Sequence, residues 1–275
     1  MKGKRGVIGK HWVDQFISRH PEMQSNVGKT LDKQCSLATV REIFKKHLNR
    51  CYNMHCKYHL QSENTWNTDK TGFAMSLGGG GTILCHGGTK DPRIIQDGKR
   101  SWVTVVEAIA RYGKSVAPLI IHDSNAHLMG HHRNIKHEKC TGAFFRHSKT
   151  GHTTIKITLD WLVKIFEPRT RPEGGIKEDP MLVLDGHNSH VNNIEFIEYS
   201  IKKNIHLICL PGHRTHVLQS VDIGIFSPIG TSYRKKLEDF LCDHGPNWAM
   251  HKEDFYLIYH KARDKAMSKG NILSA

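Results

Sequence analysis

Residues 181–190 read MLVLDGHNSH: four apolar side chains run straight into Asp185, followed by Gly186, His187 and His190. A carboxylate at the carboxyl end of a buried parallel strand sits where a sheet opens to solvent, and there it can hold a cation. The same Asp-Gly-His-Asn run also suits a turn or a helix N-cap, so these residues alone leave both readings open. His187 with His190, and His213 with His216, form two H-x-x-H pairs, a spacing that zinc can use. Cys51, His55, Cys56 and His59 mix thiols and imidazoles, but their spacing fits no zinc motif cleanly; Cys56 and His59 can simply share a helix face, and a structural or incidental role is expected.

The elements that must position these groups follow from periodicity. Trp12 and Phe16 share a stripe with Val13 and Ile17 ahead of Pro21, which predicts a short amphipathic helix over 10–20. Leu37, Val40, Phe44 and Leu48 predict a second over 36–49, with Arg41, Lys45 and Lys46 on its other face. From Thr65 the pattern becomes β-type: NTWNTDKTGFAM, TILCHGG, and SWVTVVEAIARYGKSVAPLIIHD, where Tyr112-Gly113-Lys114 separates two extended segments of a hairpin. Residues 125–152, rich in His, Lys and Gly, carry no period and are expected to form a surface loop. A helix over 158–167 should end at Pro168. Strand 181–184, a helix over 193–203 on Ile194, Ile197 and Ile201, and the strand in HLICLP form a βαβ unit with parallel strands.

Charge narrows the partners. The 275 residues carry a net charge of +14 before any of 21 histidines is protonated, which favours polyanions such as nucleic acid. The first 50 residues hold eleven of the basic residues and four acids. Seven cysteines without regular spacing, and no apolar leader, point to free thiols in a reducing compartment. No run approaches the roughly 18 apolar residues a membrane-spanning helix needs.

The stretch LVLDGHNSHVNNIEFIEYSIKKNIHLICLPGHRTHVLQSVDIGIF, with WNTDKTGF at 66–73, DGKRSWVTVVEAI and LDWLVKIFEPRT, resembles the DDE superfamily endonuclease domain of pogo-like transposases, the group of the Tigger, jerky and centromere-protein-B-related proteins. The resemblance covers about residues 60–275. It implies an α/β fold, an RNase H-like mixed sheet flanked by helices, and three domains or parts: 1–25 a partial helix-turn-helix remnant of the centromere-protein-B type, 26–60 a helical linker, and 61–275 the catalytic domain, expected to stop short of the family's usual carboxyl end.

Carried over position by position, the resemblance makes Asp69, Asp185 and Asp222 the catalytic acids and the ligands of Mg²⁺ or Mn²⁺, with 36 residues between the second and third. Aspartates suit these hard ions, which take oxygen ligands, and a pair of ions can activate a nucleophile and stabilise a leaving oxygen. His187, His190, His213 and His216 then become accessory groups beside the acids rather than a zinc site. Lys10, Arg19, Arg214 and Lys235 are expected at DNA phosphates. The implied activity is metal-dependent strand cleavage and transfer on transposon ends and target DNA, in the nucleus, with a homo-oligomer to bring two ends together. Lys70 departs from the family, which usually has Glu there; strand alternation should turn it away from a metal held by Asp69. Three retained aspartates favour an enzyme, whereas Lys70 and the clipped ends favour an inactive DNA- or chromatin-binding descendant.

Overall fold

The computed structural model describes residues 12–20, 41–76, 102–125, 142–171, 178–186, 192–211, 221–244 and 250–274. The chain divides into two units, Met1–Leu37 and Ala38–Ala275. The first contains α1, Trp12–Arg19, where Phe16 and His20 stack at 4.5 Å. Residues 26–40 of the expected helical linker, the TILCHGG strand, the four histidines, Lys10 and Arg214 lie outside the described residues.

The second unit is built on a six-stranded mixed sheet. In chain order it contains α2 (Arg41–Tyr58), β1 (Thr65–Ala74), β2 (Trp102–Ala110), β3 (Leu119–Asp123), β4 (Phe144–Ser148) and α3 (Ile155–Trp161), which runs through a π-helical turn, Leu162–Phe166, into α4 (Glu167–Thr170). Then follow β5 (Met181–Leu184), α5 (Ile194–Lys202), β6 (His206–Cys209), a second π-helical turn at Val221–Phe226, α6 (Ser227–His244), α7 (Lys252–Ala266) and α8 (Lys269–Ser274). The strand order is β4-β3-β2-β1-β5-β6. Antiparallel pairing joins β1 to β2 and β2 to β3, while β3–β4, β1–β5 and β5–β6 are parallel. This is the RNase H-like mixed sheet with helices on both faces.

Strand alternation sorts the core into two layers. On one face Phe73, Val103, Val105 and Ile120 pack against Val221, Ile225, Ile229 and the rings of Tyr233, Phe255 and Tyr259. On the other, Trp66, Ala108, Leu119, Ile121 and Leu182 meet Ile157, Trp161, Leu162, Phe166 and Phe196. The hairpin between β2 and β3 forms as expected, and Gly113 supplies the positive φ of +84° that its turn requires.

Four expectations are corrected. The second helix starts at Arg41 among the described residues and runs to Tyr58, because His47, Cys51 and His55 continue its inner stripe with no Gly or Pro to stop it. Within the supposed loop, Phe144–Ser148 adds an edge strand parallel to β3; four half-buried residues and a buried serine leave little period to detect. Pro168 does not end its helix, which continues to Thr170. The Lys164 carbonyl, which a Pro nitrogen cannot satisfy, accepts instead from the Arg169 guanidinium at 3.4 Å. Finally, α5 buries Phe196 and Ser200, whereas Ile194 and Ile201 are 69% and 71% exposed. Its N-cap, Asn193, accepts from the Phe196 amide at 3.1 Å and donates to the Ile155 carbonyl at 3.0 Å, which fixes the face it turns inward.

Candidate functional site

Three elements bring carboxylates to one sheet edge. Asp69 lies on β1, on the face that carries Phe73. Asp185 follows β5 directly; the parallel register pairs Asn67 with Val183, so the chain leaves β5 beside the part of β1 that carries Asp69, and the charge of Asp185 reaches Asp69. Asp222 is the second residue of the π-helical turn Val221–Phe226. Val221 and Ile225, both fully buried, root that turn in the core. The Asn67 side-chain oxygen accepts from the Val221 amide at 3.1 Å, and Asn67 is two residues before Asp69 on the same face. One side chain thus ties the start of the turn to the strand and sets Asp222 beside Asp69.

The electrostatics follow from that convergence. Asp69 and Asp222 hydrogen-bond to each other, and the charge of Asp185 reaches both. Burial first, then the neighbouring Asp222 charge, pushes Asp69 up to about 8. Asp222 is also raised, chiefly by burial, although accepting the Asp69 proton opposes this. Like-charged carboxylates crowded away from water cannot all ionise, and one of them keeps a proton.

A divalent cation would relieve the same crowding, and three aspartate oxygens are the donor type Mg²⁺ or Mn²⁺ takes. The donor set fits such an ion. Among the described residues, however, no three His, Cys, Asp or Glu side chains already stand as a closed ligand group. The hydrogen-bonded pair is in place, with Asp185 one strand away.

Lys70 lies on the opposite face of β1 from Asp69, as alternation requires, yet it is not remote from the acids. Burial lowers its ammonium, and the charges of Asp185 and then Asp69 partly restore it. Lys70 lines a shallow, solvent-open cleft together with Asp69, Thr68, Thr153, Thr158 and Trp161. Of the phosphate-binding candidates, Lys235 is exposed on α6. Arg19 ends α1 in the other unit and donates to the Gln15 carbonyl at 3.1 Å.

Sequence reasoning assigned no role to Asn67 or Glu107. Asn67 stands two residues from Asp69, and period-two alternation alone places both on one face. Glu107 is the lone acid in the apolar run of β2, 0% exposed, and Arg263 grips it with Nε to Oε1 at 2.6 Å and a second nitrogen to Oε2 at 3.0 Å. The Tyr259 hydroxyl also donates to it. His47, Cys51 and His55 of α2 serve packing, whereas Cys56 is exposed. His55 bonds the Leu60 carbonyl and the Thr65 hydroxyl, each at 3.1 Å, and the Cys51 sulfur lies 3.7 Å from His47.

Comparison with known proteins adds three findings. The profile of the DDE superfamily endonucleases matches residues 99–275, a span that contains Asp185 and Asp222 but not Asp69. A pre-cleavage Mos1 transpososome superposes with a TM-score of 0.53 at 9% identity, covering 95% of this chain and 69% of that one. The Mos1 mariner paired-end complex with Mn gives 0.51 at 11% identity, covering 92% and 67%; at such identities the likeness is one of fold. The MFS-type transporter clz9 of Cochliobolus lunatus is 28% identical over 223 residues, 80% of this chain and 23% of that protein. The chain thus spans about a quarter of that relative's length, and no helix among the described residues is long and apolar enough to cross a membrane.

Proposed function

Because the chain belongs to the DDE superfamily endonucleases, we propose that it is the catalytic domain of a pogo-like transposase, which cuts and rejoins DNA strands with the help of divalent metal ions. The observation that carries this reading is the Asp69–Asp222 pair, with Asp185 at the end of the neighbouring strand close enough for its charge to act on both. The two Mos1 structures of like fold, a pre-cleavage transpososome and a paired-end complex with Mn, agree with it.

Asp69, Asp185 and Asp222 would hold Mg²⁺ or Mn²⁺, which when bound supplies Lewis-acid activation of the attacking oxygen and neutralises charge on the leaving one. In cleavage, a water oxygen forms a bond to phosphorus as the bond from phosphorus to the 3′ oxygen breaks. The water gives up a proton and the 3′ oxygen takes one, leaving a 3′-hydroxyl and a 5′-phosphate. In transfer, that 3′-hydroxyl oxygen attacks a target phosphodiester and displaces its 3′ oxygen. Asp69 must lose the proton it shares with Asp222 before both can act as ligands. Asn67 keeps Asp222 within reach, and the buried core under Val221 and Ile225 fixes the geometry against water-filled slack. His187, His190, His213 and His216 would line the site, while Lys10, Arg19, Arg214 and Lys235 would contact phosphates. Joining two DNA ends calls for more than one copy, and the substrate places the work in the nucleus.

A second reading, a DNA-binding descendant without turnover, is favoured by Lys70, whose charge reaches Asp185 and Asp69. Incubation with supercoiled plasmid, with and without Mn²⁺, decides between them. Metal-dependent nicking that disappears in Asp185→Asn supports the enzyme; DNA retention with no nicking supports the binding protein.

A further inference from the structure

Outside the carboxylate edge, the surface that the catalytic reading leaves unexplained is the outer face of α2. Its inner face is committed: His47 is buried, and His55 clasps Thr65. The outer face presents Lys45, Lys46, Asn49 and Arg50, all exposed, with Leu48 60% and Tyr52 68% exposed. Over its 18 residues the helix carries Arg41, Lys45, Lys46, Arg50 and Lys57 against the single acid Glu42. A solvated helix with no partner gains little from such one-signed charge, which repels along its length.

The direction of α2 gives this charge a place. At its carboxyl end the Tyr58 ring stacks on His206, the first residue of β6, at 4.2 Å. At Cys209, the last residue of β6, burial and the charge of Asp185 push the thiol up while Arg50 pulls it down. The eight steps from Arg50 to Tyr58 rise about 12 Å in a helix, and the three from His206 to Cys209 about 10 Å in a strand. With the ring contact at one end, the reach of the Arg50 charge sets Arg50 toward the carboxyl end of β6, where Cys209 pairs with Leu184, the residue before Asp185. Lys46 and Lys45 lie a turn before Arg50 on the same helix.

We propose that the outer face of α2 is a docking rail for duplex DNA, on which Lys45, Lys46 and Arg50 bind phosphates next to the bond presented to the carboxylates and Tyr52 packs against the sugar edge. The occupant follows from charge complementarity and from continuity with the carboxylate edge. This inference rests on the proposed DNA chemistry, and it concerns where the strand lies rather than whether it is cut.

The test compares three forms of the full chain in binding a labelled 30-base-pair duplex, with the dissociation constant measured across a salt series. They are the native protein, the Lys45→Gln/Lys46→Gln/Arg50→Gln variant, and a control that removes similar charge from α7, Lys261→Gln/Lys265→Gln; melting curves confirm that each folds. Each lost phosphate contact lowers the salt slope by about 0.9, so the α2 variant should lose between two and three units of slope and more than tenfold in affinity at 0.1 M salt, and the control much less. Tyr52→Ala should weaken binding without changing the slope. Equal losses in the α2 and α7 variants, or none in either, overturn the rail. Plasmid nicking is measured alongside. A native protein that binds through α2 but never nicks would sink the nuclease and keep the rail, whereas nicking and binding unaltered by the α2 substitutions would do the reverse.

Discussion

Glu107 stands directly across the β1–β2 ladder from Asp69, and the two carboxylates have opposite fates. Both point to the same face, as opposed residues of an antiparallel pair do. Glu107 is enclosed completely and neutralised by the two-pronged grip of Arg263; Asp69 is crowded instead by the carboxylate of Asp222, which helps to raise it. One acid is thereby held as half of a buried ion pair, and its neighbour is left against another carboxylate.

Arg263→Met should cost about 3–5 kcal/mol in urea unfolding, because it strands a buried carboxylate. Adding Glu107→Gln to it should recover much of that loss, since the stranded charge then disappears. If Arg263→Met alone unfolds at the native midpoint, the pair is not what closes this layer of the core.

The elevated Asp69 sets a pH dependence. Its folded-state value, about 8, lies above the usual 3.8, so between those limits the folded state holds a proton that the unfolded chain has released. Stability in metal-free buffer is then intact at low pH and falls as pH rises through 8, by at most about 1.4 kcal/mol per pH unit for one group. Melting temperatures in EDTA should drop from pH 5 to pH 8, less steeply in Asp69→Asn, and Mn²⁺ should restore the native protein at pH 8. Parallel curves for native and variant would remove Asp69 as the cause.

Asn67 contributes through one bond to the Val221 amide. Asn67→Ala should cost about 1 kcal/mol of stability yet reduce nicking by far more than the unfolded fraction, because Asp222 loses its tether. The check is a nicking rate beside a urea curve; activity that falls only in proportion to stability would make Asn67 merely structural.

The positions of the three carboxylates were more legible in the sequence than the contacts that hold them. Asp185 could be placed because a continuous apolar run before a carboxylate reports a buried parallel strand, and Asp69 and Asp222 because of the motifs around them. The β2–β3 hairpin and the β5-α5-β6 unit carried ordinary turn and period signals. What escaped were relations between distant segments: Asn67 to Val221, Glu107 to Arg263, and the parallel pairing of β4 with β3. No local period encodes a bond across 154 residues. The buried side of α5 was misread for a related reason, since Ile194 and Ile201 satisfy a helical period while Asn193, bonded to the Ile155 carbonyl, turns Phe196 inward instead.

Lys70 reaches Asp185 and Asp69 electrostatically and so competes with any cation they bind. Lys70→Met should tighten Mn²⁺ binding several-fold, about 1 kcal/mol, a modest Coulomb effect across a partly solvated gap. Calorimetric titration measures this directly, and an unchanged or weaker affinity would place the ammonium outside the ion's field.

The most direct measurement is Mn²⁺ binding itself, followed by electron paramagnetic resonance at pH 8 for the native chain and for Asp69→Asn, Asp185→Asn and Asp222→Asn. If three carboxylates from β1, the end of β5 and the π-helical turn share one site, the native protein binds the ion and each substitution weakens it at least tenfold. Four indistinguishable binding curves would show that the acids meet without forming a metal site, and would leave the fold without the chemistry proposed for it.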